Sequence, residues 1–282
     1  MSVDYPARVE QYLAKLIQGE DQLSVAMTYS ALAGGKRFRP ILTYTVAKCF
    51  GAELSRADSS ACALELIHIY SLIHDDLPAM DDDDLRHNQP TCHKKFGEAQ
   101  AILAGDALQA LAFSTIADDS HLEDQTKVAL LQQLGQAAFE MAQGQSIDLS
   151  VVSKQVDIQT LEHMHSKKTG ALLSCAVRLG AIVANCSEQD QQLLQKFSQA
   201  IGLAYQIQDD VLDIESSSEV LGKAQNSDVE KNKPTYPAIL GLEESKGRFE
   251  VLYQQAMDVL ALINVDTTEL EQLTQQLRTR RF

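Results

Sequence analysis

The chain has 282 residues, 45% hydrophobic and 22% charged, enough for a sizeable core and ordinary for a globular protein. A net charge of −15 argues against a nucleic-acid partner or an anionic membrane surface. Five cysteines, at 49, 62, 92, 175 and 186, form no CxxC pair; this excludes a disulfide framework and a structural zinc site and points to the reducing cytoplasm.

The opening MSVDYPARVEQYLAKLI has no signal-peptide core. No uninterrupted apolar run approaches the ~18 residues that span a bilayer. GGKRFRP (34–40) puts Lys36 and Arg39 on one helical face just before Pro40. An apolar run from Leu64 to Ile73 then leads into LIHDDLPAMDDDDLRH (72–87), which carries six aspartates. Asp75 and Asp76 would end a helix, because Pro78 cannot sit in its interior and Leu77 is pushed away from α. A bend at Leu77–Pro78 would bring Asp81 back toward Asp75. Asp82, Asp83 and Asp84 read as a solvated loop, His74 as a structural residue at the helix end, and Cys92 as a semi-buried thiol without chemistry.

No proline occurs between Pro90 and Pro234, and that stretch is rich in Ala, Leu, Gln and Glu. In 97–117, Ile102, Leu103, Leu108, Leu111, Ala112 and Phe113 recur at helical spacing, as do Leu193, Phe197, Ile201, Ala204 and Ile207 in 190–214. VVSKQV (151–156) is the one tempting strand. The chain as a whole, 1–282, reads as a single all-α domain, a bundle of long helices.

Near its end the second helix reads DDVLD. At about 100° per residue, Asp209, Asp210 and Asp213 would fall within one turn on one face. Three like charges there repel, and a hard cation with oxygen ligands relieves the repulsion. Further cations sit at Arg86, Lys168, Lys223 and Lys233. In so acidic a chain, cations beside acidic motifs suggest a shared polyanion, diphosphate bridged by Mg²⁺. Arg37, Lys167 and Lys231 read as surface salt-bridge partners.

Together, DDLPAMD (75–81), QDDVLD (208–213), GGKRFRP, HKKFGEA (93–99), LAGDALQ (103–109), KKTGALL (167–173) and KPTYPAILG (233–241) resemble the trans-polyprenyl diphosphate synthases, most closely the bacterial farnesyl-forming type. The resemblance runs from about residue 30 to 242 and implies the isoprenoid synthase fold, helices around a central cavity. It implies about three Mg²⁺ ions, on Asp75 and Asp81 with Asp76 nearby, and on Asp209 with Asp210 and Asp213 in support. An allylic diphosphate would lie among these metals, Arg86, Lys168, Lys223 and Lys233. Isopentenyl diphosphate would lie on Lys36, Arg39 and His68. Thr169 and Gln206, with Lys168, would set their dipoles near the developing allylic cation, between apolar walls from the 100–113 and 200–207 helices. The resemblance also implies a homodimer, and makes Tyr70 the floor that sets product length; on the helix alone, Ser71 points closer to the Asp75 face.

One departure stands out. Where the family reads LRRG, this chain reads LRHN (85–88), so His87 replaces an arginine that grips isopentenyl diphosphate. The expected product is farnesyl diphosphate, with geranyl or geranylgeranyl diphosphate as alternatives. A class I terpene cyclase would carry an NSE-type second motif where this chain has DDVLD. A non-catalytic partner subunit would have lost the aspartates. A mere cation-binding protein would not need Lys36, Arg39, Lys168 and Lys233.

Overall fold

A computed structural model describes residues 3–215 and 233–279. Helix α1 (Tyr5–Leu16) starts where the Asp4 side chain accepts from the Ala7 amide, and buries Tyr5, Val9 and Leu13, four residues apart. Asp21 caps α2 (Gln22–Ala31) in the same way. Next come α3 (Phe38–Cys49) and α4 (Leu54–Asp75). Leu64, Leu66 and Ile67 of α4 are fully buried on successive sides, so α4 is a central helix. It packs against α3, against α6 (Glu98–Ala117) and against α9 (Ala171–Val183). The short α5 (Cys92–Phe96) precedes α6.

Helix α7 (Asp124–Val151) runs through Val151. The tempting strand at 151–156 is therefore a helix end and loop: local β propensity loses to the packing of Val151. The strands in the described residues are Leu85–Arg86 and Gln89–Pro90, an antiparallel hairpin. Its turn residues His87 (φ 50°) and Asn88 (φ 60°) are both left-handed, the backbone that a tight two-residue hairpin demands.

Helix α8 (Ile158–His165) continues into α9 through one π turn, Ser166–Gly170. Helix α10 (Glu188–Glu215) is followed, beyond the undescribed stretch, by α11 (Tyr236–Leu240), α12 (Leu242–Leu260) and α13 (Thr268–Thr279). The fold is the expected all-α bundle. Its apolar interior forms two clusters. The larger is built on α1–α4, α6, α7, α9 and the first half of α10, with the end of α12 and α13. The smaller joins Val151, Leu161, Met164, Ala204, Ile207, Val211, Tyr236 and Phe249.

The helical stripe read in 97–117 holds for Leu108 and Ala112, but Ile102 and Leu103 stand 44% and 50% exposed. By length and composition α6 could also cross a membrane, contrary to the reading of short apolar runs. Its packing against α4 makes it a bundle helix whose outer face is uncovered.

Candidate active site

The C-terminal end of α4 supplies the first acidic residues. Pro78 ends the helix, and the chain doubles back so that the Asp81 amide donates to the Asp75 carbonyl at 2.9 Å. The bend anticipated at Leu77–Pro78 is there. Burial pushes the Asp75 carboxyl up to about 6; nearby Asp81 adds to this and Lys168 acts against it. Asp76 forms a two-point ion pair with Arg86. Its pKa is still raised, because burial outweighs the guanidinium. Asp82 and Asp84 stay exposed beside Lys94, a solvated loop as read, and Asp83 reaches Arg86 at 3.5 Å.

Helix α10 contributes Tyr205, Gln206, Asp209 and Leu212 to the same cavity. The three aspartates of DDVLD do not all line it. Asp209 does, whereas Asp210 and Asp213 are 2% exposed and lie outside the lining. Spacing fixes angles between side chains but not which way the helix is turned, and packing of Ile207 and Val211 turns Asp210 inward. The Asp210 carboxylate accepts from the Tyr236 amide and from Gln206 Nε2, both at 2.9 Å. Gln206 Oε1 accepts from the Thr169 hydroxyl at 2.8 Å. Thr169 is thus oriented from two other elements, α10 and α11, and it sits in the π turn, whose extra residue offers Lys168 and Thr169 to the cavity.

Asp148 was not anticipated. Its buried carboxylate accepts from Lys168 Nζ at 2.6 Å and lies 3.5 Å from Lys233 Nζ, which also donates to Asp81 at 2.8 Å. One signal was available in the sequence: in 141–156 Asp148 is the lone acidic residue, between Ile147 and Leu149. Four residues earlier, Gly144 lets α7 meet the π turn. A Cβ there would lie 2.2 Å from the Lys168 amide nitrogen.

A second group of nitrogen-bearing side chains lines the cavity from the α3 approach and the hairpin. It comprises the cations Lys36, Arg39 and Arg86 and the imidazoles of His87 and, from α4, His68. Arg39 Nη1 approaches His68 Nε2 at 3.1 Å, so that nitrogen accepts and the ring is neutral. Burial, then Arg39, holds the His68 pKa well below the ordinary histidine value. His87 is lowered too, by burial and then by Arg86, Arg37 and Lys36. It stands against Gly35, where a Cβ would come 3.2 Å from its Cε1. Arg37 is not the surface partner expected. It is 4% exposed, ion-paired to buried Glu65 at 2.9 Å and bonded to the Ala31 carbonyl. Lys167 donates to Gln143 at 2.9 Å and has no ion pair among the described residues.

The cavity measures about 1310 Å³. Its apolar lining comes from Phe38, Ile69, Leu72, Ile73, Tyr205 and Leu212. The 200–207 helix contributes as expected; the 100–113 helix lines none of it, because α4 stands between. Tyr70 and Ser71 are also absent from the lining. Tyr70 packs edge-on against His74, and the Ser71 hydroxyl donates to the His68 carbonyl. His74 approaches the Ile102 carbonyl at 3.1 Å, a structural contact as read. Cys92 is buried rather than semi-buried. Lys223, Lys231, Arg280 and Arg281 lie outside the described residues.

The polyprenyl synthetase family model matches residues 20–270. The farnesyl diphosphate synthase of Escherichia coli strain K12 is 43% identical over 297 residues, covering 99% of each chain. That of Haemophilus influenzae is 46% identical over 269 residues, 93% of this chain and 91% of its own. Among solved structures, a geranyltransferase of Helicobacter pylori complexed with magnesium and isoprenyl diphosphate superposes with a TM-score of 0.85 at 28% identity, covering 99% of this chain and 97% of that one.

Proposed function

The chain belongs to the polyprenyl synthetase family, and from that premise we propose that it is a Mg²⁺-dependent prenyltransferase. It condenses dimethylallyl or geranyl diphosphate with isopentenyl diphosphate to give (2E,6E)-farnesyl diphosphate and diphosphate, as one all-α domain. The observation that carries this reading is the composition of one cavity. Carboxylates Asp75, Asp81 and Asp209 and cations Lys36, Arg39, Arg86, Lys168 and Lys233 line it together, above an apolar lining.

The donor set suits Mg²⁺. Asp75, Asp76, Asp81 and Asp209 offer hard oxygens, with Asp210 and Asp213 behind them, and the raised Asp75 pKa marks a buried charge that a cation would relieve. Among the described residues no three His, Cys, Asp or Glu side chains stand close enough to hold an ion alone. Mg²⁺ takes one or two carboxylates and completes its shell with water and substrate phosphates. When bound, about three such ions would neutralise the diphosphate as a leaving group. Arg86, Lys168 and Lys233, with Lys223, would hold the outer oxygens of the allylic diphosphate. Lys36, Arg39, His68 and His87 would hold isopentenyl diphosphate. The Thr169 hydroxyl and the Gln206 carboxamide, fixed by Asp210, present dipoles at the mouth of the apolar region, and the Lys168 carbonyl region adds to them. The lining from Phe38, Leu72, Ile73 and Leu212 keeps water from the allylic cation.

The test is to incubate the protein with each allylic diphosphate and isopentenyl diphosphate, with Mg²⁺ and with EDTA, and to weigh the products. Unconsumed isopentenyl diphosphate would sink the reading and favour a cyclase; turnover in EDTA would remove the metal from it. A homodimer is supported by Ile102 and Leu103 on α6 and Val128 and Phe139 on the adjacent α7, all 44–59% exposed. Light scattering at the mass of one chain would refute it. Five free thiols support a cytoplasmic location.

His87 sets one expected result. Burial, and then the neighbouring cations, hold its pKa below the ordinary histidine value, so the ring is neutral at pH 7. Its folded-state pKa lies below 6.5, so anion binding at this residue strengthens as pH falls toward 6 and the ring takes a proton. His87→Arg should lower KM for isopentenyl diphosphate about tenfold and flatten that pH dependence, since arginine stays charged. The KM for the allylic partner should hardly move. An unchanged KM profile would place residue 87 outside that subsite.

Tyr70 sets another. It lies about 7.5 Å below Asp75 along α4, where a growing chain would descend. Its place outside the lining favours, as a second reading, a floor formed by another side chain. Tyr70→Ala should shift products from fifteen to twenty carbons or more. An active variant that still stops at fifteen excludes Tyr70 as the floor and establishes the second reading; a wild-type product beyond fifteen carbons overturns the farnesyl assignment.

A further inference from the structure

Eight arginines lie in the described residues: Arg8, Arg37, Arg39, Arg56, Arg86, Arg178, Arg248 and Arg278. Five are ion-paired, to Asp58, Glu65, Asp76, Glu162 and Glu250 respectively for Arg8, Arg37, Arg86, Arg248 and Arg278. In a chain of net charge −15 that is the expected fate of a guanidinium. Arg39, the sixth, faces the proposed diphosphate cavity. The remaining two, Arg56 and Arg178, line one other cleft of about 760 Å³.

That cleft is at the far end of the bundle. Arg56 lies nineteen positions before Asp75 on α4, about 28 Å away along the helix. Arg178 is on α9, beyond the π turn. Arg56 donates to the His121 carbonyl at 3.4 Å, a marginal contact. Arg178 is exposed and has no hydrogen bond or ion pair among the described residues. Around them stand the carboxamides Gln132, Gln133, Asn185 and Gln191, and the floor is Ala129, Ile182 and Val183. The one carboxylate in the lining, Glu123, is beyond ion-pairing reach of both guanidiniums.

We propose that this cleft is a second anion site, for a small phosphorylated molecule. Arginine forks match phosphate oxygens, the carboxamides can both give and accept hydrogen bonds to the polar remainder, and the small apolar floor suits a short carbon skeleton. Both guanidiniums line this cleft without a carboxylate partner among the described residues, so an anion bound there would meet uncompensated positive charge.

The probe is inorganic phosphate, titrated calorimetrically in EDTA into the full chain. Arg39→Gln weakens the main cavity but leaves Arg86, Lys168 and Lys233 there, so the cleft's share of the phosphate heat is the part that a cleft substitution removes. Adding Arg178→Gln to that variant should weaken the remaining binding roughly tenfold or more, and Arg56→Gln should act likewise. Arg178→Gln alone should keep its melting temperature and its prenyl turnover. Phosphate binding abolished by Arg39→Gln alone, or unchanged by both cleft substitutions, would overturn the proposal. So would a fall in melting temperature in Arg178→Gln, which would mean that the guanidinium is a structural partner. The readout does not depend on prenyl transfer, so failure here is separable from failure of the main reading.

Discussion

Asp75→Ala should lower turnover by about a thousandfold or more while leaving the protein folded. The loss follows from removing one of the two carboxylates that the α4 end and its return loop bring together, which the proposed chemistry needs to stabilise the leaving diphosphate. An effect of that size is about 4 kcal/mol at the transition state. The fold should survive because this carboxylate is a burden in the unliganded protein. Its pKa is raised to about 6 from an ordinary 3.8. A carboxyl with a raised folded-state pKa binds its proton more tightly in the native state, so it lowers stability progressively as pH rises from about 4 to about 6, and fully above. In EDTA at pH 8, Asp75→Ala should therefore melt no lower than the parent. Near-normal turnover would remove Asp75 from the site, and a collapse in melting temperature would make its role structural. Asp209→Ala should show the same loss of turnover.

Gly144→Ala should be nearly as damaging, although it touches no substrate. The added methyl would overlap the Lys168 backbone, at 2.2 Å from the amide nitrogen and 2.5 Å from Cα. Backbone cannot rotate away as a side-chain tip can, so α7 and the π turn must part. That moves Lys168 and Thr169 and breaks the hold of Asp148 on Lys168. Turnover should fall at least about a hundredfold, since displacement of about 1 Å costs that much. Stability should fall by about 1–3 kcal/mol from overpacking. Denaturant melts and kcat check both; a variant with normal values for each would mean that the helix–turn contact is not needed for positioning.

Much of this was legible in local sequence. The stretch read as helical over 190–214 is α10, Glu188–Glu215, and 97–117 is α6 with one residue trimmed. The return of Asp81 toward Asp75 could be read because Pro78 forces it within seven residues. What stayed hidden depends on partners far along the chain. Asp148 meets Lys168 and Lys233, twenty and eighty-five positions on. Arg37 reaches Glu65 on another helix. The angles among Asp209, Asp210 and Asp213 were readable, but only the packing of Ile207 and Val211 decides which of them faces the cavity. The π turn hides in the same way. Leu161 and Leu172 are eleven apart, which on an unbroken α-helix puts them on nearly one stripe, yet they join different apolar clusters. The extra residue between them turns α8 toward one core and α9 toward the other.

The ion pairs across the cavity carry a final consequence. At rest, Lys233 lies on Asp81 and Asp148, and Lys168 on Asp148, so these positive and negative groups already satisfy one another. A magnesium diphosphate entering on the proposed terms would trade partners with them: the metal takes the carboxylate and the phosphate takes the ammonium, as two salts exchange ions in a metathesis. Few charges are created or left bare in such a trade. The metal brings the positive charge that the polyanion needs, and so strongly acidic a chain can take up a polyanion without meeting its own repulsion.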